Sequence, residues 1–279
     1  MRIRAIFSDL DRTILDNSNN LSRENLQALQ KLGGNDIFRI VATGRSLFSC
    51  KKVINSKWPL DYLIFSTGCG IMDWRRGEII RANHLDGSRA EQAIRILKEF
   101  RIDFMVQAPI PDNHFFYYWA HQSENPDFWK RIEIYRDFAQ LLPEKLDWEN
   151  VSQLIAIIPL TQKDLLNQII SRFPFLQVIL TTSPLDHETL WLELFPPEVS
   201  KGKAAAWLSE YLGVKREETA GIGNDYNDLD LLDWTRCSYV VNNAPVLLKE
   251  RFSILADNER HGFARFVEIC LKHNRQNIL

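Results

Sequence analysis

Cysteine is scarce in this 279-residue sequence: there are four, widely separated, with neither C-x-x-C spacing nor the density of a secreted disulfide scaffold. We therefore expect buried thiols in a reducing compartment. There is no run of about 18 apolar residues that could span a membrane, and the N-terminus lacks the pattern of a signal peptide. Twelve glycines and eleven prolines are too few for a fibrous or low-complexity chain. These absences predict a globular cytoplasmic protein.

A dominant charge of one sign is absent too. Thirty-four basic residues against 36 acidic ones give a formal net charge of -2, which supplies no general attraction to nucleic acid or to acidic membranes. We expect neither as a partner. Hydrophobic residues make up 45% of the chain and charged residues 25%, as in average globular proteins. At roughly 150 residues per domain, the chain has room for one large domain or two ordinary ones.

Short apolar segments alternate with helical patterns at both ends of the chain. The predicted strands are 3–7, 38–42, 62–66, 219–223 and 238–241, and the helices between and after them include 22–34, 203–212 and 262–272. This alternation requires crossover connections and predicts an α/β fold with a largely parallel sheet.

The pattern between these two parts is different. It contains a helix at 89–100, followed by two strands, 104–107 and 115–119, that are able to form a hairpin. Further helices are predicted at 127–142 and 162–173, and further strands at 153–158 and 177–181. We therefore predict an α/β core made of residues 1–83 and 188–279, interrupted by an inserted α+β domain at 84–187.

Polar clusters follow three of the predicted core strands. They are Asp9, Asp11 and Thr13; Thr43, Gly44 and Arg45; and Asn224, Asp225, Asn227 and Asp228. In open parallel sheets, ligands bind outside the carboxyl ends of the strands. Two crowded carboxylates cost Coulomb energy unless a cation offsets it, and Mg²⁺ accepts such oxygen ligands alongside phosphate oxygens. The clusters together therefore fit a site for a hard dication such as Mg²⁺.

Each cluster taken alone has a simpler explanation. The Asp9 and Asp11 pair could be an ordinary solvated loop, Thr43-Gly44 a turn, and Lys201-Gly202-Lys203 a solvated helix start. The acidic run at 224–228 could merely cap a helix. The six histidines show no metal-ligand spacing, and the aromatic run at 114–119 is better explained by packing.

The order and spacing of the four segments resemble those of the haloacid dehalogenase superfamily, in particular its Cof-like branch, which includes sucrose-phosphatase relatives. The segments are Asp9-Leu-Asp11-Arg-Thr13, Thr43 after a strand, Lys201 before Gly202, and Gly223-Asn-Asp-Tyr-Asn-Asp228. The resemblance covers essentially the whole core. It implies a Rossmann-like core with an inserted α+β cap of the C2 type, which would close over the site and exclude water.

The same resemblance implies a Mg²⁺-dependent phosphatase that hydrolyses a small phosphomonoester, such as a sugar phosphate or a related metabolite. In such enzymes Asp9 would be the nucleophile that becomes an aspartyl-phosphate, and Asp11 the acid and then the base. The phosphate would be bound by Thr43, Gly44, Lys201 and Asn227. The metal would be held by Asp9, Asp11, Asn224 and Asp228.

One position departs from the family pattern. The residue after Gly223 is Asn224, where relatives carry a metal-binding aspartate, so the site loses one negative charge. Asp228, or Asp225 if the loop is shifted by one residue, could compensate, and we expect weaker Mg²⁺ binding than in relatives. Two other functions stay open at this point. One is a phosphomutase of the same superfamily, and the other is a non-catalytic regulator that binds a phosphorylated metabolite.

Overall fold

The computed structural model describes residues 2–121, 124–158, 164–183, 185 and 189–276. The chain divides into two compact units. Unit 1 consists of Met1–Arg45, Ser49–Arg81 and Ser200–Leu279, and unit 2 of Ser46–Phe48 and Ala82–Val199. Within the described part of the chain, no helix combines the length and the apolar character needed to cross a membrane.

Unit 1 is built on an eight-stranded sheet. Numbered along the whole chain, its strands are β1 (Ala5–Ser8), β2 (Phe38–Ala42), β3 (Tyr62–Phe65), β4 (Gly70–Asp73), β5 (Glu78–Ala82), β14 (Thr219–Gly223), β15 (Cys237–Val241) and β16 (Ser253–Leu255). Their order is β16-β15-β14-β1-β2-β3-β4-β5. The pairs from β16 to β3 are parallel, and β3 to β4 is antiparallel. The predicted α/β class is confirmed.

Helices lie between and after the parallel strands of unit 1. They are α1 (Arg23–Gly33), α2 (Leu47–Val53), α6 (Lys201–Tyr211), α7 (Leu229–Trp234), α8 (Val246–Arg251) and α9 (Gly262–Gln276). Ser22 caps α1 as expected, because its side chain accepts a hydrogen bond from the Asn25 N–H. The strand β1 is buried at every residue, since helices cover both faces of a parallel sheet. A buried apolar cluster that includes Phe7, Ile40 and Leu208 fixes α6 against the sheet.

Unit 2 contains a six-stranded sheet in the order β12-β13-β11-β7-β8-β9. Its strands are β7 (Asp103–Gln107), β8 (Phe116–Trp119), β9 (Ala139–Leu141), β11 (Gln153–Ile158), β12 (Gln177–Thr182) and β13 (Leu190–Phe195), with β6 (Leu85–Asp86) and β10 (Asn150–Val151) forming a separate pair. The helices are α3 (Gly87–Glu99), α4 (Pro126–Ile134) and α5 (Leu166–Ile170). Separate buried clusters contain alternate residues of β7 and β11.

The structure differs from the sequence expectations at three places in unit 2. Strand β13 pairs with β11 and β12, so the sheet continues beyond 187, where the sequence expectation ended the insert. The helix expected at 127–142 ends at Ile134, because β9 follows it and pairs with β8. The helix expected at 162–173 is seen as α5, and its first two residues lie outside the described ones.

Candidate active site

The predicted nucleophile lies at the carboxyl end of the central strand of unit 1. Asp9 directly follows β1, and its N–H donates to the Ile222 carbonyl oxygen of β14 at 3.0 Å. The residue is 5% exposed. Its position is therefore fixed by sheet hydrogen bonding, while its carboxyl group is removed from bulk water.

Lys201 brings two of the predicted segments together. Its Nζ donates to Asp9 Oδ1 at 2.7 Å and to Asp228 Oδ1 at 2.6 Å. A longer contact of 3.3 Å joins Nζ to Asn227 Oδ1. The lysine is fully buried and is the first residue of α6, whose N-cap Ser200 accepts a hydrogen bond from the Lys203 N–H. The first residue of α6 thus places a buried ammonium group between two carboxylates, Asp9 and Asp228, that are far apart along the chain.

The charges of this group are strongly coupled. Burial raises the pKa of Asp9 to about 7; Lys201 acts against this rise, whereas Asp228 and Asp11 add to it. Burial alone would lower the pKa of Lys201, but the carboxylates of Asp228 and Asp9 more than offset this and raise the pKa above its ordinary value. The lysine is therefore a permanent cation at neutral pH.

The fourth predicted segment forms a tight loop around Asp228. Asp228 is fully buried, and its Oδ2 accepts the N–H groups of Asn224 at 2.8 Å and Asp225 at 3.0 Å. Since Oδ1 accepts from Lys201, both oxygens of Asp228 already have partners within the protein. Asp225 caps the short turn at Tyr226–Asp228, accepting from the Tyr226 N–H. The structure thus gives Asp228 a positioning contact with Lys201, whereas the sequence predicted a metal ligand.

Asn224 lies beside Asp9, the predicted nucleophile. With its amide nitrogen facing oxygen atoms, the side chain is 3.1 Å from Asp9 Oδ2 and 3.2 Å from both the Asp11 carbonyl oxygen and Thr13 Oγ1. Rotation of the amide by half a turn would present its oxygen instead. Asp9 Oδ2, the Asp11 carbonyl oxygen and the amide of Asn224 therefore converge on one point.

This set of oxygen atoms fits a hard dication that retains several waters, because such an ion needs only one or two carboxylates. A cluster of three or more histidine, cysteine, aspartate or glutamate side chains able to hold a metal is absent from the described residues. The candidate site falls outside this definition, because one of its metal-binding groups is the backbone carbonyl of Asp11 and another is the amide of Asn224. Of the four metal ligands predicted from the sequence, Asp9, Asp11 and Asn224 therefore lie next to one another, whereas Asp228 contacts Lys201.

The predicted phosphate-binding residues also follow neighbouring strands. Thr43 and Gly44 come directly after β2, which pairs with β1, and Thr43 is fully buried. A Cβ added at Gly44 would lie 3.5 Å from Asn227 Nδ2. Gly44 and Asn227 are therefore adjacent, and Lys201 contacts Asn227 from the other segment. The backbone N–H of a glycine can approach a phosphate closely because no side chain intervenes.

Arg45 was part of a polar cluster in the sequence but was not predicted as a site residue. Its Nε donates to Asp11 Oδ2 at 2.8 Å and its Nη2 to Asp11 Oδ1 at 2.5 Å, which is a bidentate pair. Nη2 also donates to Asn19 Oδ1 at 2.9 Å. The guanidinium group thus fixes the carboxylate of the predicted acid and base. The only sequence signal was the position of Arg45 two residues after Thr43.

A second supporting residue is Asn243. The loop after β1 turns through Arg12, whose φ of 54° is rare for a residue with a side chain. Asn243 Nδ2 donates to the Arg12 carbonyl oxygen at 2.9 Å. This hydrogen bond stabilises the turn that directs Asp9 and Asp11 to the same end of the sheet.

Comparison with known proteins agrees with this geometry. The profile of the haloacid dehalogenase-like hydrolases matches residues 6–267. Phosphatase YwpJ of Bacillus subtilis is 22% identical over 96% of this chain and 100% of its own length. The 5-amino-6-(5-phospho-D-ribitylamino)uracil phosphatase YcsE of the same organism is 21% identical over 95% and 94%. A solved phosphatase of the haloalkanoate enzyme superfamily from Bacteroides thetaiotaomicron has a TM-score of 0.79, with 17% identity and coverage of 96% and 95%.

The chain belongs to the haloacid dehalogenase-like hydrolases. The resemblance noted from its sequence is confirmed, including the Cof-like branch, and so is the expected enzyme class, a phosphoric monoester hydrolase.

Proposed function

We propose that this protein is a Mg²⁺-dependent phosphatase of small phosphorylated metabolites, among them sugar phosphates, and that it acts through an aspartyl-phosphate at Asp9. The observation that carries the proposal is the buried Lys201 ammonium group between Asp9 and Asp228, at 2.7 and 2.6 Å. The buried cation favours the ionised form of Asp9 against the effect of burial and attracts the phosphoryl group that the carboxylate attacks. The small-molecule substrate and the cytoplasmic location remain predictions.

In the first half of the reaction, the Asp9 carboxylate attacks phosphorus, and the bond between phosphorus and the substrate's ester oxygen breaks. Asp11 gives its proton to that oxygen, so the product leaves as a neutral alcohol. Lys201 and the N–H of Gly44 bind the phosphoryl oxygens, with Thr43 beside them. Arg45 donates to both Asp11 oxygens in the resting structure, and when Asp11 carries the proton Arg45 keeps only the hydrogen bond to the unprotonated oxygen.

In the second half, Asp11 takes a proton from water as the water attacks phosphorus. The bond between phosphorus and Asp9 breaks, and inorganic phosphate leaves with Asp9 restored as a carboxylate. Of the four metal ligands predicted from the sequence, Asp9, Asp11 through its carbonyl oxygen, and Asn224 would hold the Mg²⁺ ion. Mg²⁺ bound there supplies positive charge that lowers the repulsion between the nucleophile and the phosphate dianion.

The proposal is tested by measuring phosphate release from a panel of sugar phosphates with and without Mg²⁺. We expect release that needs the metal, and a loss of at least about 10³-fold in kcat for Asp9→Asn. The conservative Asp36→Asn change, at an exposed position of unit 1, is the matched control. Phosphate that moves to a second hydroxyl instead of appearing in solution would identify a phosphomutase. Ligand binding without turnover, unaltered in Asp9→Asn, would identify a regulator.

A further inference from the structure

A strained turn follows β3, beside the predicted phosphate-binding residues of unit 1. Ser66 and Thr67 have φ values of 49° and 55°, and Gly68 has a φ of 106°. A positive φ costs little in glycine, but it is uncommon in other residues and unfavourable in a β-branched residue such as threonine. Ser66 is 1% exposed and Thr67 is fully buried. Because strained backbone is found most often at functional sites, this turn is a candidate functional segment.

Backbone hydrogen bonds hold the turn against the loop that carries Gly44. The Thr67 N–H donates to the Thr43 carbonyl oxygen at 2.9 Å, and the Ser66 N–H donates to the Arg45 carbonyl oxygen at 2.8 Å. The carbonyl groups of the residues on both sides of Gly44 are therefore fixed by the turn. The strained backbone thus lies directly against the predicted phosphate-binding loop.

The same turn contacts the start of α6. A Cβ added at Gly68 would lie 2.6 Å from the Ser200 carbonyl oxygen and 3.0 Å from Ala204 Cβ. Ser200 caps α6 and directly precedes Lys201. The turn therefore packs against two segments that are predicted to bind phosphate, the loop at 43–45 and the helix start at Lys201.

The Thr67 side chain lies next to Gly44 and Asn227. A Cβ added at Gly44 would lie 3.6 Å from Thr67 Oγ1 and 3.5 Å from Asn227 Nδ2. Asn227 contacts Lys201 through its other amide atom, at 3.3 Å. Three of the predicted phosphate-binding residues are therefore neighbours of the Thr67 hydroxyl group or of its direct neighbour. A hydroxyl group can donate to a phosphoryl oxygen, which only accepts hydrogen bonds when ionised.

The identity of residue 67 points to a role for its side chain. Glycine would adopt this backbone conformation without steric cost, whereas Thr67 carries a branched side chain in a conformation that disfavours it. The cost indicates that the side chain supplies something the backbone of the turn does not. A hydroxyl group beside Gly44 is the chemical group that threonine adds.

We propose that Thr67 is a further phosphate-binding residue, whose hydroxyl donates a hydrogen bond to a phosphoryl oxygen of the substrate. The proposal rests on the proposed function for the site itself. Thr67 lies in none of the four segments that carry the family resemblance, so it adds a residue to the predicted set. Because every substrate carries the same phosphoryl group, the hydroxyl contributes equally to all phosphate esters, whatever their alcohol.

Thr67→Val tests the proposal, because valine removes the hydroxyl but keeps the β-branched shape and hence the strain of the turn. Thr67→Ser keeps the hydroxyl, and Ser66 shows that serine adopts the same backbone conformation one position earlier. Thr219→Val is the matched control. Thr219 is also fully buried, its Oγ1 donates to the Arg216 carbonyl oxygen at 2.6 Å, and it begins β14, at the end of that strand away from the site.

The first measurement is the affinity for inorganic phosphate in the presence of Mg²⁺, followed by phosphorus NMR, which needs no turnover. We expect Thr67→Val to weaken phosphate binding about tenfold, the effect of losing about one hydrogen bond to a charged group. Thr67→Ser and Thr219→Val should bind phosphate as wild type does. Equal affinity in Thr67→Val and wild type, or no phosphate binding by wild type, would overturn the proposal.

The second measurement is kcat/KM for the best sugar phosphate of the panel and for p-nitrophenyl phosphate. Thr67→Val should lower both values by the same factor of about ten, since the two substrates share only the phosphoryl group. A fall for the sugar phosphate alone would place the hydroxyl at the alcohol part and contradict the proposal. Phosphate binding that depends on Thr67, in a protein that releases phosphate from no ester, would contradict the proposed function alone.

The third measurement is the melting temperature, which separates binding from a structural role. We expect Tm to fall no further in Thr67→Val than in Thr219→Val, because each change removes one buried hydroxyl group. A much larger fall in Thr67→Val, together with weak phosphate binding by Thr67→Ser, would show that Thr67 serves the turn alone, and the proposal would be wrong.

Discussion

The surroundings of Asp9 destabilise the ionised form of its carboxyl group. Its pKa is raised from 3.8 to about 7, first by burial. Below pH 3.8 the carboxyl is protonated in both the folded and the unfolded chain. Between 3.8 and about 7 the folded chain binds the proton more tightly, so folding stability falls as pH rises, and the loss is complete above about 7.

We therefore predict that metal-free wild type loses about 2–3 kcal/mol of unfolding free energy between pH 5 and pH 8 relative to Asp9→Asn, at ~1.4 kcal/mol per pKa unit. Urea unfolding in EDTA at both pH values measures this difference. Comparing the two proteins cancels the titration of groups that do not interact with Asp9. Parallel pH profiles for wild type and the variant would show that Asp9 does not titrate in this range.

Arg45 orients Asp11 by hydrogen bonds, so replacing it should slow most the substrates whose leaving group needs a proton from Asp11. Arg45→Lys keeps the charge but loses the bidentate geometry. We expect kcat for an alkyl phosphate to fall about 10–100-fold. With p-nitrophenyl phosphate the fall should be smaller, because that leaving group departs without protonation. Arg101→Lys, on the exposed surface of unit 2, is the control. Equal losses on both substrates would mean that Arg45 does not act through Asp11.

Asn224 should weaken metal binding, since an aspartate there would add a negative charge next to Asp9 Oδ2 and the Asp11 carbonyl oxygen. We predict that Asn224→Asp tightens Mg²⁺ binding about tenfold, as measured by titration calorimetry and by the Mg²⁺ dependence of turnover. Asn242→Asp adds the same charge at an exposed position and is the control. An unaltered metal requirement in Asn224→Asp would refute the idea.

At the scale of elements, the start of α6 is the critical junction. Gly202 follows Lys201, and a Cβ there would lie 2.6 Å from the Asp230 carbonyl oxygen of α7. The Gly202 N–H donates to Asp230 Oδ2 at 2.9 Å. The absence of a side chain at this position thus permits α6 to approach α7 closely and places Lys201 beside Asp228.

We predict that Gly202→Ala destabilises the protein by about 1–3 kcal/mol, the usual range for overpacking, and lowers kcat because Lys201 is displaced. Denaturant unfolding and steady-state kinetics measure the two effects. Gly34→Ala is the control, since its Cβ would meet nothing closer than 3.7 Å. A fully active and equally stable Gly202→Ala variant would show that the contact is easily relieved.

The core elements could be predicted because parallel strands are buried on both faces and appear as continuous apolar runs, as in Tyr62–Phe65. The site segments could be located because they follow those strands. Strand β13 was missed although residues 190–195 form an apolar run interrupted only by Glu193, because the acidic residue hides a strand that is buried on both faces. The Arg45 to Asp11 pair depends on three-dimensional contact between residues 34 positions apart, which spacing alone does not reveal.

On the scale of the whole molecule, the four thiols differ in accessibility. Cys50, Cys69 and Cys270 are buried and Cys237 is partly exposed, with all four free. The expectation of buried thiols is therefore right for three and wrong for Cys237, which begins β15. Burial also raises the pKa of Cys50 and Cys270, which keeps both as unreactive thiols.

We predict that a thiol reagent such as DTNB modifies one cysteine rapidly in the native protein and all four after unfolding in denaturant. Cys237→Ser should abolish the rapid phase, and Cys270→Ser should leave it intact. Two or more rapid thiols in the native protein would mean that unit 1 opens readily.

The central strand β1 pairs with β2 on one side and with β14 on the other. During translation, β1 therefore leaves the ribosome long before residues 219–223 have been made. The edge of β1 that pairs with β14 stays unpaired during the synthesis of residues 82–199 of unit 2. Asp9 meets Lys201 and Asp228 only near the end of synthesis. A nascent chain cut short before that point carries Asp9 without Lys201 and Asp228, and its unpaired strand edge is a site at which chaperones would be expected to bind.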